Sequence, residues 1–195
     1  KPVQDILEAY HAGQKVFGEN KVQELVSKYE QLPKDIEWHL IGHLQRNKVK
    51  YIAGFIGLIH SVDSLKLLKA IDKEGVKNNR VINCLLQIHI AREETKYGFS
   101  VEEVAGLLKS EDFKQLNNIC ITGLMGMASF TEDTSLIRDE FKTLVKLYKD
   151  LKNNHFKDKP EFKEISLGMS SDYNIAIEEG STMVRIGSLI FGERN

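Results

Sequence analysis

The chain lacks any apolar run long enough to cross a membrane, and it is poor in cysteine and proline. Its 195 residues include two cysteines and three prolines, and no apolar stretch approaches the roughly 18 residues of a membrane span. The chain opens on a helical pattern rather than the apolar core of a signal peptide. Cys84 and Cys120 both lie in predicted apolar strands, so we expect free thiols rather than a disulfide, and a cytoplasmic protein.

The chain also lacks a strong charge of either sign. Its 27 basic residues stand against 28 acidic ones, for a net charge of -1. A domain that binds nucleic acid is normally basic, so this balance argues against a nucleic-acid partner. The prolines are isolated, at positions 2, 33 and 160, and no glycine- or serine-rich linker divides the sequence. We therefore expect a single domain over 1–195, long enough to bury a sizeable core.

What the sequence does contain is a regular alternation of extended and helical patterns. Strands are predicted at 15–18, 36–41, 56–60, 81–88, 118–124, 163–167 and 182–186. Helices are predicted at 3–13, 20–31, 45–53, 63–76, 100–110, 134–153 and 172–179. Ser100 followed by Glu103 predicts a capping box at the start of one helix. Such alternation is typical of a parallel sheet covered by helices.

Seven strands in an order that begins with a helix leave two architectures open. One is a doubly wound open sheet. The other is a (β/α)8 barrel whose first strand is missing from the chain. The barrel usually takes about 250 residues, and a chain of 195 is compatible with the loss of one strand and with short loops.

Three stretches give a more specific signal. They read WHLIGHLQRNK at 38–48, FGEN at 17–20 with VQE just after it, and SLGMSSD at 166–172 continuing through GSTMVRIG at 180–187 to FG at 191–192. Together they resemble the signature of the YggS/PROSC family, the pyridoxal phosphate (PLP) homeostasis proteins, and the resemblance runs along essentially the whole chain in order. It implies a TIM barrel of the alanine racemase N-terminal type, and so favours the barrel over the open sheet.

The resemblance also implies a lysine that the chain does not contain. In the family the first strand ends in a Val-Ser-Lys-x-x-Pro-like motif, whose lysine forms the Schiff base with PLP. Pro2 matches the proline of that motif, so the lysine belongs two places before Lys1. Lys1 itself matches a second, non-Schiff-base basic position. We expect the anchor in a segment upstream of Lys1, because a barrel without its first strand would expose two unpaired edges.

Loops after the strands should hold the cofactor. A phosphate group requires backbone N–H donors at a turn or a helix N-terminus, and barrels commonly bind it after their seventh and eighth strands. By resemblance, Arg185 faces the pyridine nitrogen and a cup of serines and a glycine holds the phosphate. The implied cofactor-binding residues are Asn20, Ser170, Ser171, Arg185, Gly187 and Ser188.

The residues alone leave plainer explanations open. Ser170 and Ser171 could be helix N-caps, Asn20 could cap the helix that follows it, and Arg185 could form a structural ion pair. Lys96, in a charged loop, could act as a secondary amine for PLP.

The histidines predict neither a metal site nor a catalytic one. His39 lies in an apolar strand, where a histidine is more often a hydrogen-bonded core residue than a catalyst. Neither His39 nor His43 has a third ligand at a spacing suitable for zinc.

Two functions that use PLP, and one that does not, follow from these features. The resemblance implies a monomeric binder that holds PLP and hands it to apo-enzymes without catalysis. The alternative is a PLP-dependent amino-acid racemase, which needs acid and base groups on both faces of Cα. Alanine racemases use a tyrosine and a separate C-terminal β domain. We expect no such domain here, and none of the six tyrosines lies in a motif that assigns it to catalysis. A barrel without cofactor conflicts with the phosphate-binding pattern.

Overall fold

A single parallel sheet organises the protein. A computed structural model describes residues 1–93 and 97–193, and the seven strands follow one another in space in their order along the chain. The strands are β1 (Val16–Glu19), β2 (Glu37–Leu40), β3 (Leu58–Val62), β4 (Ile82–Ile88), β5 (Ile119–Gly126), β6 (Glu164–Met169) and β7 (Met183–Arg185). The helices are α1 (Val3–His11), α2 (Val22–Gln31), α3 (Leu65–Lys77), α4 (Val101–Lys109), α5 (Glu111–Lys114), α6 (Thr134–Asn154), α7 (Tyr173–Glu178) and α8 (Ser188–Phe191), with a 3-10 helix over Arg46–Tyr51.

Two hydrophobic clusters show that the sheet curls into a barrel. The larger one lies between the outer face of the sheet and the helices. The smaller one joins Leu58, Leu85 and Met125, against which Met127 and Met183 pack. These side chains come from β3, β4, β7 and the end of β5, so strands that are not neighbours meet on the concave face. The architecture is therefore the nearly closed barrel with helices outside, and the open-sheet alternative is wrong.

The barrel is open between β1 and β7. These two strands form the edges of the described sheet, because each pairs with one neighbour only. The Lys1 Nζ donates a hydrogen bond of 2.7 Å to the carbonyl oxygen of Glu193. The start of α1 therefore lies beside the segment that follows α8. One further parallel strand between the two edges would complete an eight-stranded ring.

Most predicted elements form where the sequence places them, and the capping box is present. The Ser100 side chain accepts from the Glu103 amide, and the Glu103 carboxylate accepts from the Ser100 amide. The helix predicted at 45–53 is instead a 3-10 helix. Its turns close through i→i+3 bonds such as Lys48 N to Gln45 O. The short helices α5 and α8 were not predicted.

Both cysteines are free thiols, as the sequence predicts. Cys84 is free and buried, and Cys120 is free and partly exposed; burial raises the pKa of both thiols. Within the described ranges, no helix combines the length and the apolar character that crossing a membrane requires.

A candidate cofactor site at the carboxyl ends of the strands

The predicted cofactor-binding residues collect at one end of the barrel because all strands are parallel. Ser170 and Ser171 directly follow β6, Arg185 is the last residue of β7, and Gly187 and Ser188 come just after it. In the sheet register Met169 of β6 pairs with Arg185 of β7. Asn20 directly follows β1, the other edge strand.

A hydrogen bond joins the loop after β6 to the loop after β7. The Gly187 amide donates to Ser170 Oγ over 3.2 Å. The β6 loop is held in shape by Asp172, whose buried carboxylate accepts from the Met169 amide at 2.6 Å. Asp172, not Ser170 or Ser171, is the N-cap residue of α7, so the explanation of these serines as N-caps is wrong.

The space in front of this contact suits a phosphate group. A Cβ built on Gly187 would meet no atom within 4 Å, so the backbone there is open to a ligand. The helix α8 begins at Ser188, and the first amides of a helix have no acceptor inside it. Ser171 and Ser188 are exposed, and their hydroxyls form no hydrogen bond within the described ranges. Backbone donors, hydroxyls and room thus occur together, as a phosphate requires.

Arg185 presents one free nitrogen. Its Nη1 donates to the carbonyl oxygen of Ser166 at 2.9 Å and to Ser166 Oγ at 2.6 Å, and its Nη2 donates to the carbonyl oxygen of Gly126 at 3.0 Å. In the described chain Nε has no partner, and no carboxylate forms an ion pair with the guanidinium. The ion-pair explanation is therefore wrong. Burial lowers the pKa of Arg185 to about 10, against the opposing effect of Asp172, so the side chain is cationic at neutral pH.

Asn20 is held in place by its backbone and leaves its amide free. The N-cap residue of α2 is Lys21, so the capping explanation of Asn20 is wrong. A Cβ on Gly42 would overlap the Asn20 backbone, which shows how closely the two loops pack. The preceding Glu19 pairs with the buried Lys28 of α2. The exposed Asn20 side chain has no hydrogen-bond partner among the described residues.

The sequence missed a line of polar side chains inside the barrel. Arg185 binds Ser166 Oγ, which lies 3.0 Å from His60 Nδ1. His60 Nε2 lies 3.0 Å from His39 Nδ1, and His39 Nε2 lies 3.1 Å from Glu37 Oε1. We call these five side chains the interior chain. His39 is a hydrogen-bonded core residue, as predicted. The signal for His60 was available, because it lies two residues after Leu58 and so on the same, inward face of the buried strand β3.

Other residues singled out by the sequence lie at the rim. His43 Nδ1 lies 3.3 Å from an Asp63 carboxylate oxygen, and its ring stacks on Tyr97 with centroids 4.2 Å apart. A cavity of about 490 Å³ opens beside it, between the loops after β2 and β3.

Lys96 lies outside the described residues. The described part of the chain contains no cluster of three or more histidine, cysteine, aspartate or glutamate side chains suited to a metal ion.

Comparison with known families gives one match along almost the whole chain. The family model described as alanine racemase, N-terminal domain, matches residues 2–195. A curated relative from Aquifex aeolicus, named pyridoxal phosphate homeostasis protein, is 43% identical over 194 residues, which cover 99% of this chain and 83% of the relative.

Solved structures agree in fold. PipY of Synechococcus elongatus, solved with PLP bound, is 33% identical, with a TM-score of 0.85 over 98% of this chain and 88% of that one. An alanine racemase from Clostridium difficile has a TM-score of 0.74 over 98% of this chain and 48% of that one, but only 13% identity. The racemase therefore supports the fold alone.

Proposed function

The chain belongs to the pyridoxal phosphate homeostasis proteins, a family built on the alanine racemase N-terminal domain, and from this we propose that it binds PLP at the carboxyl ends of β1, β6 and β7. It holds the cofactor and passes it to apo-enzymes rather than catalysing a reaction of its own. The proposal gains support from PipY, a relative of 33% identity whose structure contains PLP.

The hydrogen bond between the Gly187 amide and Ser170 Oγ is the observation on which the proposal rests. It brings two loops together at an open point, where Ser171 and Ser188 add exposed hydroxyls. These groups would bind the phosphate of PLP. A dianionic phosphate accepts several hydrogen bonds at once, and bonds to a charged acceptor contribute about 1.5–3 kcal/mol each.

Arg185 would bind the pyridine ring through its free Nε. Bound PLP supplies an electron sink, and a cation beside the ring nitrogen keeps that nitrogen unprotonated and weakens the sink. Arg185 thus orients the ring and restrains its chemistry. Asn20, on the far side of the opening, would line the pocket with its free amide.

We further propose that a lysine upstream of Lys1 attaches PLP covalently. Pro2 matches the family motif that contains this lysine, and in the described sheet β1 and β7 each leave one edge unpaired, with which the strand preceding Pro2 could pair. Such a strand would end at the same carboxyl edge as Arg185, close to the proposed phosphate site.

Borohydride reduction tests this placement. Protein that includes the upstream segment is loaded with PLP, its absorbance is recorded, and the reduced adduct is located by peptide mapping. We expect the adduct on the upstream lysine and none in a matched variant with that lysine changed to alanine. An adduct on Lys96, or on any other lysine of residues 1–195, would contradict the proposal.

The remaining features of the function are proposals as well. We propose a monomer that acts in the cytoplasm, where its free thiols Cys84 and Cys120 would stay reduced. Its partners would be PLP and apo-enzymes that accept it. A racemase reaction is not favoured, since the likeness to alanine racemase is one of fold.

A further inference from the structure

The interior chain has a direction that its two ends determine. A guanidinium can only donate hydrogen bonds, and a carboxylate can only accept them. Glu37 therefore accepts from the Nε2–H of His39. A neutral His39 then accepts at Nδ1 from the Nε2–H of His60, and a neutral His60 accepts at Nδ1 from the Ser166 hydroxyl. The lone pairs of Ser166 Oγ stay available to Arg185. As neutral imidazoles, both histidines are therefore Nε2–H tautomers.

The middle of the interior chain is buried, whereas its Glu37 end faces a cavity. His60 is 1% exposed, Ser166 0% and His39 4%. Glu37 lines a cavity of about 480 Å³ at the amino-terminal end of the barrel. A buried hydroxyl held between a fixed donor and a fixed acceptor cannot rotate without losing a bond, and a buried polar group left without a partner is destabilising.

We propose that His60 is a positioning residue for the cofactor site. By accepting the Ser166 hydrogen, it keeps the lone pairs of Ser166 Oγ directed at Arg185, and so fixes the plane of the guanidinium and the direction of its free Nε. His39 and Glu37 fix the tautomer of His60, as outer partners do for metal-bound histidines. This proposal rests on the proposed function in one respect, the identification of PLP as the ligand at Arg185 Nε.

The charges around the two histidines favour the neutral pair. Burial, together with His39 and Arg185, lowers the pKa of His60 well below its ordinary value. Burial also lowers the pKa of His39, while Glu37 and Glu164 act in the opposite direction. Geometry gives the same result. An added proton on His39 Nδ1 would face the Nε2–H of His60, so protonation of the pair requires that this link break or that the hydrogen bonds from His60 to Ser166 reverse.

This arrangement makes stability depend on pH. Histidine in the unfolded chain titrates near pH 6.5, and the folded pair has lower pKa values, so the unfolded state binds more protons as the pH falls below about 6.5. The contribution of the pair is fully present above that pH and is lost below it. The cofactor-free protein should lose stability as the pH falls below about 6.5, and the His60→Leu variant should lose less stability over the same range. A His155→Gln variant, which changes an exposed histidine, should behave like the parent.

Two substitutions at His60 separate positioning from packing. In His60→Asn the amide oxygen takes the place of Nδ1 and can still accept from Ser166. In His60→Leu the acceptor is gone, but the apolar side chain fills more of the space. We expect His60→Leu to weaken PLP retention by about tenfold or more, the effect of disturbing a bond to a charged group, and to alter the cofactor spectrum. His60→Asn should keep both near the parent, although it is the less stable variant. If PLP retention instead falls in the order in which the two variants lose stability, the proposal is overturned.

A measurement without PLP separates this inference from the proposed function. In the cofactor-free protein at pH 7, the imidazole nitrogen resonances of His39 and His60 should report Nε2–H tautomers. A hydrogen on His60 Nδ1 would overturn the inference whether or not PLP binds. If His60→Leu does not fold, Ser166→Ala takes its place, because it removes the Oγ through which His60 acts on Arg185; unchanged retention and spectrum there would also overturn the inference.

Discussion

At the scale of single residues, Arg185 shows why an arginine rather than a lysine suits its position. Three acceptors, two on Ser166 and one on Gly126, bind two of its nitrogens in one plane. A lysine has a single nitrogen and could not satisfy these acceptors while presenting a further N–H to a ligand. With its pKa lowered to about 10, Arg185 still carries its charge at pH 7.

Replacing Arg185 should weaken PLP binding more than it disturbs folding. Arg185→Ala removes a charged donor, worth about 1.5–3 kcal/mol, so the affinity should fall by at least about tenfold and the absorbance of the bound cofactor should shift. Arg185→Lys should recover only part of the affinity. The control is Arg138→Ala, which removes a surface arginine paired with Glu178 and Glu179. Titration with PLP measures all three, and an Arg185→Ala protein with the parent's affinity and spectrum would refute the role of Arg185.

At the scale of helices and strands, local pattern was enough for most of the fold. Each strand was predicted because apolar residues bounded by polar turns recur along the chain. The helix α8 has only four residues, too few for a period to show. The contact between His60 and Ser166 joins residues 106 positions apart, so no local pattern contains it. The six proposed cofactor residues came from resemblance; geometry then removed the capping and ion-pair alternatives.

Two glycines, Gly168 near the end of β6 and Gly187 just after β7, should show separate effects on folding and on ligand binding when each is replaced. Gly168 has φ +90°, and its Cβ would lie 2.6 Å from the Ala176 Cβ, so Gly168→Ala should lower the free energy of unfolding by about 1–3 kcal/mol. Gly187 faces open space, so Gly187→Ala should fold normally but place a methyl group where the phosphate would bind. Urea unfolding measures the first effect.

Ligand binding measures the second effect. Gly187→Ala should bind PLP more weakly while its affinity for pyridoxal, which lacks the phosphate, stays unchanged. An equal loss for both ligands would mean that Gly187 does not belong to a phosphate site.

At the scale of the whole molecule, the exposure of the rim bears on the choice between a carrier and an enzyme. The proposed site lies at the mouth of the barrel, where Asn20, Ser171, Gly187 and Ser188 are all exposed. An enzyme that stabilises carbanions on PLP normally closes its site against water. Two tyrosines are already committed to structure, since the hydroxyl of Tyr10 donates to Asp35 and that of Tyr148 donates to the Phe162 carbonyl.

Protein that includes the upstream segment should therefore release PLP readily and turn over no amino acid at an enzymatic rate. In the proposed site Arg185 would restrain the electron sink, and the exposed rim would let the cofactor leave. Transfer is followed by the recovery of activity in an apo-enzyme, with PLP locked in place by borohydride reduction as the control that should not transfer. Chiral chromatography follows racemisation of a panel of amino acids. Turnover above about 1 s⁻¹, the low end of typical enzyme values, would favour the racemase. Transfer no faster than from a tight, buried enzyme site would exclude the carrier role.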